Sequence, residues 1–337
     1  MNTNVNQTRI SWIDMAKGYG TILVVLAHIG SGLGRLWIYT FHMPLFFFLS
    51  GYVFSTKYEF REFVKRKCKT IVVPYFCLGI PMVLYETFVT QAGKPQKFQV
   101  LLGLVWDLLW QRRLWTLWYI ACLFFLNIFF YLLVKKCKRE WMLGVISFVL
   151  PVVGLLYYAV GGGYLPWNID VCLMAMPFFY AGYFMKNHTA QIGAILNAKW
   201  KKLVLFVSML IVNLVCGSLS IDDSWNGLEM FYSKYGSNPI FTYIAAFAGT
   251  ICVVMVAKLF SCRVICYLGE NTMLYYAWHQ TIMMPVVEEI LQFCGITQLV
   301  GKGTMWYNLI WLLGILLITT VLIRIFKMLG WKFMLGK

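Results

Sequence analysis

Charge is the first shortage in this chain. Only 12% of its 337 residues are Asp, Glu, Lys or Arg, against roughly a quarter in a soluble globular protein. That is too little for a polar shell around one water-soluble core. Acidic residues are scarcest, 13 against 29 Lys and Arg, which gives a formal charge of +16. The ten Cys include no C-x2-C pair, and no Cys/His cluster has zinc spacing. The nearest pattern is Cys262-x3-Cys266, so metal binding is not indicated. Internal repeats and low-complexity tracts are missing too. The longest gap between apolar runs is 91–113, too short for a separate soluble domain, and its Trp106, Trp110 and Trp115 suggest an interfacial segment. What abounds is apolar surface. Hydrophobic residues make up 61% of the chain, and several runs reach the roughly 20 residues that cross a bilayer. The expected class is an all-α integral membrane protein forming a single transmembrane domain over 1–337.

Ten spans are expected, at about 14–30, 37–55, 70–90, 114–134, 141–160, 171–186, 203–221, 240–260, 271–294 and 306–326. Pro74, Pro81, Pro151, Pro177 and Pro285 lie within or at the ends of spans, where neighbouring groups re-satisfy freed carbonyls. The cations sort by side. Arg9, Lys17, six in 56–69, four in 135–140, four in 186–202, two in 258–270 and four in the C-terminal tail give 22 on one face, with seven on the other. The positive-inside rule then puts both termini in the cytoplasm. No cleavage site follows Arg9 and Lys17, and a second span comes at once, so the first helix is read as uncleaved. Sidedness explains most of the charge and argues against nucleic acid as a partner. Loop 56–69 carries more than orientation needs: Lys57, Arg61, Lys65, Arg66, Lys67 and Lys69. Anionic lipid headgroups or topology are one reading of that excess, and a phosphate-rich cytoplasmic ligand is the other.

An ionisable residue within a span is costly and points to function by default. His28, His42 and His279 qualify, whereas His188 falls in a cytoplasmic loop. At about 1.5 Å per residue, His28 lies about 16 Å from the cytoplasmic boundary and His279 about 13 Å, with His42 about 10 Å from the outer one. All three fall in one central layer and are expected to line a shared cavity between spans 1, 2 and 9. At about 100° per residue, Lys17 and His28 are about 20° apart and Asp14 about 40° to the other side. The three make one polar stripe from the cytoplasm to mid-membrane. The plainer readings are an i,i+3 ion pair for Asp14 and Lys17 and interhelical hydrogen bonds for the histidines.

Gly18, Gly20, Gly30, Gly32, Gly34 and Gly51 cluster at the ends of the first two helices, where small residues let helices approach closely. Nine of the fourteen Trp fall near the outer side: 37, 106, 110, 115, 118, 167, 225, 306 and 311. They read as an aromatic belt or as a sugar-stacking surface at an outward cleft. Most Cys sit in apolar runs and act as small hydrophobes. Cys68, Cys137, Cys262 and Cys266 fall on the cytoplasmic side, where disulfides are not expected.

The stretch Trp12-Ile-Asp-Met-Ala-Lys-Gly-Tyr-Gly, ending at His28, resembles the start of the acyltransferase 3 family of integral-membrane acyltransferases. Phe41-His-Met-Pro-Leu-Phe-Phe-Phe-Leu-Ser-Gly-Tyr52 is similar to that family's second helix. Further matches follow in order: the basic loop ending at Pro74-Tyr75, Leu117-Trp118-Tyr119, Pro177-Phe-Phe-Tyr-Ala-Gly-Tyr183, and Leu268-Gly-Glu-Asn-Thr-Met-Leu-Tyr-Tyr-Ala-Trp-His279. The resemblance covers nearly the whole chain and leans to the branch of fucose 4-O-acetylase-like and polysaccharide O-acetyltransferases. It implies a multi-pass protein of the bacterial inner or plasma membrane. Such a protein moves an acyl group, most often acetyl, from cytoplasmic acyl-CoA to a hydroxyl of a surface or lipid-linked glycan. Family members often have Arg-x10-His in the first helix; here the cation is Lys17, a point charge without the guanidinium fork. The nearest match to the family's Arg-x2-Arg motif is Arg66-x2-Lys69, with Lys in the second position. The extracytoplasmic hydrolase-like domain that some members add is not expected here.

Coenzyme A carries several phosphates, which suits Lys65, Arg66, Lys67 and Lys69 together with Lys17. The acyl-CoA donor would be a substrate, with no permanently bound cofactor. His28 is the expected general base, with a transient acyl-His as a variant. His42 and His279 would orient the acceptor or stabilise the oxyanion, and Asp14 belongs to the same set. Ser50 is a packing residue or a hydrogen-bond donor. Membrane lipids are expected partners and a homo-oligomer is open. Two other classes fit the same composition, a transporter or flippase for a glycan or anionic solute and an assembly scaffold.

Overall fold

A computed structural model describes residues 10–30, 32–221 and 228–336. Arg9, Trp225 and Lys337, counted above, lie outside these. The described chain is almost wholly helical. It opens with α1 (Ser11–Ile29), a short α2 (Gly32–Tyr39) and α3 (His42–Tyr52). Next come α4 (Phe60–Lys67), α5 (Val73–Tyr85), α6 (Lys97–Trp110), α7 (Trp118–Lys136) and α8 (Glu140–Ala159). Then α9 (Ile169–Asn187), α10 (Thr189–Ile195), α11 (Lys199–Leu219) and α12 (Pro239–Leu259) follow. The last elements are α13 (Arg263–Glu270), α14 (Thr272–Trp278), α15 (Met284–Phe293), α16 (Ile296–Val300) and α17 (Met305–Met328). Between α11 and α12, β1 (Leu228–Glu229) and β2 (Lys234–Tyr235) pair antiparallel, Glu229 opposite Lys234.

Among the described residues, six helical segments are long and apolar enough to cross a membrane: Phe60–Thr90, Lys97–Lys136, Glu140–Ala159, Lys199–Leu219, Pro239–Leu259 and Met305–Met328. The chain is therefore a multi-pass membrane protein. The helices that carry Asp14, Lys17 and the three histidines are not among these six. The expected second span, 37–55, is broken between α2 and α3, because Thr40 and Phe41 turn back onto the carbonyls of Trp37 and Ile38. The expected ninth span, 271–294, is interrupted by a π-helical turn at His279–Met283. Pro285 lies one residue into α15 and offers no N–H to the turn before it, a recurrent cause of such a widening. Segment 91–113 is mostly the helix α6, whose Phe98, Leu102 and Trp106 are exposed.

Glycines set the tightest helix crossings. A methyl group at Gly18 would clash with the carbonyl of Ile265, and one at Gly269 with that of Asp14, so α1 and α13 cross backbone to backbone. Gly51 and Gly182 do the same for α3 and α9, against Phe179 and Phe48. Gly34 faces open space, so close packing explains only part of the glycine cluster. The core beside these crossings is aromatic: Phe54, Phe130 and Phe179 meet with ring centres 4.9–5.5 Å apart.

Candidate active site

At the two helix breaks, two of the three histidines hydrogen-bond to backbone carbonyls just before them. His42 at the start of α3 donates through Nδ1 to Ile38 in the last turn of α2, 3.0 Å away. His279 at the π turn donates through Nδ1 to the Tyr276 carbonyl at 2.8 Å. His28, near the end of α1, donates the same way to Val24 at 2.8 Å. With the proton on Nδ1, each ring keeps a lone pair on Nε2. His279 aims its lone pair at Nδ1 of His28, 3.3 Å away, with the rings edge to face. The Nδ1–H of His28 is thus shared between Val24 and His279, and its Nε2 is left for other chemistry. Tyr39 lies between His28 and His42, 6.0 and 4.9 Å from their ring centres.

His28 and His42 line a cavity of about 470 Å³ together with Arg35, Tyr39, Arg113, Trp115, Trp118, Glu229, Tyr232, Tyr276 and Gln280, among others. This is the histidine chamber. His279 is fully buried and stands behind His28 rather than in the wall, so the expected shared cavity holds two of the three rings. Glu229, half-buried in β1, adds a carboxylate whose pKa is pushed up by burial, against the pull of Lys234 and Arg35.

The wall of this chamber is tied by a buried ion pair that the sequence reading missed. Arg113 meets Asp170 at 2.5 Å, with the two side chains 4% and 0% exposed. The guanidinium also donates to Asn168 (2.6 Å), Ser233 (2.5 Å) and Tyr158 (3.2 Å), and the Tyr158 hydroxyl donates to Asp170. Three connections, before α7, before α9 and within the β1–β2 turn, are thereby fastened together. Among the described residues, every non-glycine with positive φ lies in them: Gln111, Arg113, Trp115, Trp167, Asn168 and Ser233. Each such residue costs about 1–2 kcal/mol, and strain of this kind persists where surrounding structure enforces it, often at functional sites. Asp170, an acidic residue at the edge of an apolar run, was the available signal. Its partner stands 57 positions away in sequence.

Asp14 and Lys17 do not reach the histidine chamber. They line a second cavity of about 320 Å³, the lysine chamber, with Glu270, Thr272, Met273, Phe46, Ser50, Ile71, Tyr119, Leu123, Leu335 and Gly336, among others. Between Lys17 and His28 on α1 come Thr21, whose hydroxyl donates to the Lys17 carbonyl, and the buried Val24. Ser50 is hydrogen-bonded to the Tyr119 hydroxyl at 3.3 Å, so it does more than pack. Lys65, Arg66, Lys67 and Lys69 are not among the lining residues. Arg66 pairs with Glu62 at 2.8 Å and lies over Tyr58, and Lys67 lies over Phe63. The π turn that follows α4 carries Ile71 to the lysine chamber. Among the described members of the Trp group, Trp115 and Trp118 face the histidine chamber. Trp37 donates to Asn213, while Trp106 and Trp306 are exposed.

The elements agree on direction. Along α3, Met43 lines the histidine chamber and Ser50 the lysine chamber; along α7, Trp118 and Leu123 do so in the same order. On α1 and on α14 with its π turn the order is reversed, Lys17 before His28 and Thr272 before Gln280. The two cavities thus sit at different levels along the same helices.

These features define a multi-pass helical membrane protein with titratable groups lodged at depth in a two-chambered site. The chain matches the family described as "Acyltransferase domain" over residues 10–330 and belongs to the acyltransferase 3 family. No curated protein and no solved structure matches it.

Proposed function

We propose that this chain is a membrane O-acyltransferase that takes an acyl group, most simply acetyl, from cytoplasmic acyl-CoA and places it on a hydroxyl of a cell-surface or lipid-linked glycan. It would sit in a bacterial cell membrane with ten crossings and both termini in the cytoplasm. The 22-to-7 division of Lys and Arg supports that orientation, and the lysine chamber then opens inward and the histidine chamber outward. The observation that carries the reading is the His28–His279 contact at the wall of a chamber. It supplies a neutral imidazole with a fixed tautomer where an acceptor hydroxyl could bind.

In this reading the diphosphate of coenzyme A stays at the cytoplasmic surface near Lys65, Arg66, Lys67 and Lys69, and its thioester arm enters beside Lys17. His28 Nε2 takes the proton of the acceptor hydroxyl as its oxygen attacks the thioester carbonyl. The C–S bond breaks, the ester forms, and the imidazolium returns its proton to the departing thiolate. His279 positions the base through its Nδ1–H. His42 and Tyr39 border the acceptor, and Trp115 and Trp118 offer faces on which a sugar ring can stack.

The test uses protein purified in detergent, labelled acetyl-CoA and a glycan acceptor. Label should move to the glycan, and His28→Ala should abolish this while the protein still inserts. A protein that binds glycan and moves no label would be a carrier, and the reading would fall.

A further inference from the structure

Three aromatic rings lie between the two chambers. Phe46 of α3, Tyr119 of α7 and Tyr276 of α14 are in mutual contact, with ring centres 6.0, 6.4 and 5.2 Å apart around the triangle. All three are buried. Phe46 and Tyr119 face the lysine chamber only, whereas Tyr276 lines both. Among the described residues, no other is shared by the two walls.

We propose that Tyr276 is the partition between the donor and acceptor chambers, and that its ring moves aside to let the acyl carbon meet the acceptor hydroxyl. This rests on the acyltransferase reading and adds to it a specific positioning residue. A thioester confined to one chamber and a hydroxyl confined to the other cannot react while the ring is in place. Keeping it in place when no acceptor is bound shields the thioester from water on the far side.

Tyr276 is the member of the triangle suited to move. Phe46 is backed by Gly20, where an added methyl would stand 2.9 Å from its ring. Tyr119 is held by its hydrogen bond to Ser50 and by Phe47, 4.9 Å away. Among the described residues the Tyr276 hydroxyl makes no hydrogen bond. Its backbone carbonyl accepts from His279, whose Nε2 faces His28, so the ring is mechanically joined to the base by two contacts. The π turn that begins at His279 supplies a locally loosened helix next to it.

Two measurements test this. The first does not depend on activity: Ser50→Cys is placed in the lysine chamber, and membrane vesicles are exposed from the outer face to a charged methanethiosulfonate, with modification read at residue 50 by peptide mass. Residue 50 should stay unmodified when Tyr276 is present and react when Tyr276→Ala is added. Labelling with Tyr276 intact, or none after its removal, overturns the proposal whatever the protein transfers. The second measures acetyl-CoA hydrolysis against transfer to glycan. That ratio should rise about tenfold or more in Tyr276→Ala and stay within about threefold in Tyr276→Phe, which keeps the ring. An unchanged ratio in the alanine variant also overturns it. Tyr276→Leu, which retains apolar bulk but not the ring, carries both tests if the alanine variant fails to reach the membrane. Absence of any transfer by the unaltered protein would remove the acyltransferase reading and leave the labelling result standing.

Discussion

The two chambers are built from different materials. The lysine chamber is walled chiefly by regular helix, with Asp14 and Lys17 on α1, Ser50 on α3, Leu123 on α7 and Thr272 on α14. The histidine chamber draws much of its wall from connections: Arg113, Trp115 and Thr116 before α7, and Glu229 to Tyr232 between α11 and α12. These connections are strained and tied by one buried ion pair. Loops on a rigid scaffold are where specificity can change without disturbing the fold. A site facing one constant donor can be made of helix, whereas a site facing varied glycans benefits from loops. On the acyltransferase function proposed above, the contrast matches a constant donor and a variable acceptor.

The comparison breaks most sharply at the histidines. His28→Ala should reduce acyl transfer by about 10²–10⁴-fold, the usual worth of a positioned acid–base group, with unaltered insertion and thermal stability. Retained transfer would remove His28 from the chemistry and shift attention to His42, whose Nε2 is the other lone pair on an imidazole lining this chamber.

Asp170→Ala asks whether the histidine chamber depends on its knot. Removing one partner of a buried pair leaves Arg113 uncompensated and should cost about 3–5 kcal/mol, read as a lowered melting temperature in detergent. The matching substitution Lys17→Ala, in a half-buried position, should shift that temperature far less. Equal shifts would erase the distinction between the two chambers.

His279→Ala tests positioning within the first chamber. Val24 still receives the Nδ1–H of His28, so the base remains and loses one of its two constraints. The expected outcome is a drop of about tenfold in kcat with little change in acceptor KM; loss as deep as in His28→Ala would give His279 a share in proton transfer.

The smallest effect belongs to the basic loop. Charge reversal at Lys65 and Lys69 should raise the KM for acetyl-CoA a few-fold at low salt and much less at high salt, because exposed charges are screened. A salt-independent effect would place these side chains against the donor directly.

Much of this was legible in the sequence, and the parts that were not share a cause. Helical periodicity and rise placed His28 and His279 at similar depth, and the structure brings them into contact. The same geometry put Asp14, Lys17 and His28 on one stripe, which is right about phase on α1 but blind to what packs against it. Rings from α3, α7 and α14 divide that stripe into two chambers. The break at Thr40 and the π turn at His279 were also hidden, since apolar composition reads straight through them. Asp170 carried a signal of its own, an acid beside an apolar run, but its meaning lay in Arg113.

The sequence by itself determined that the chain is helical, membrane-embedded and a member of its family, because run length, charge sidedness and motif order are local or one-dimensional properties. Only the tertiary structure decided that there are two chambers rather than one channel, which nitrogen of each histidine is left available, and that Arg113 meets Asp170. Those facts depend on which helix faces stand opposite one another. Side chains tens to hundreds of residues apart settle that by contact, and no periodicity along the chain records it.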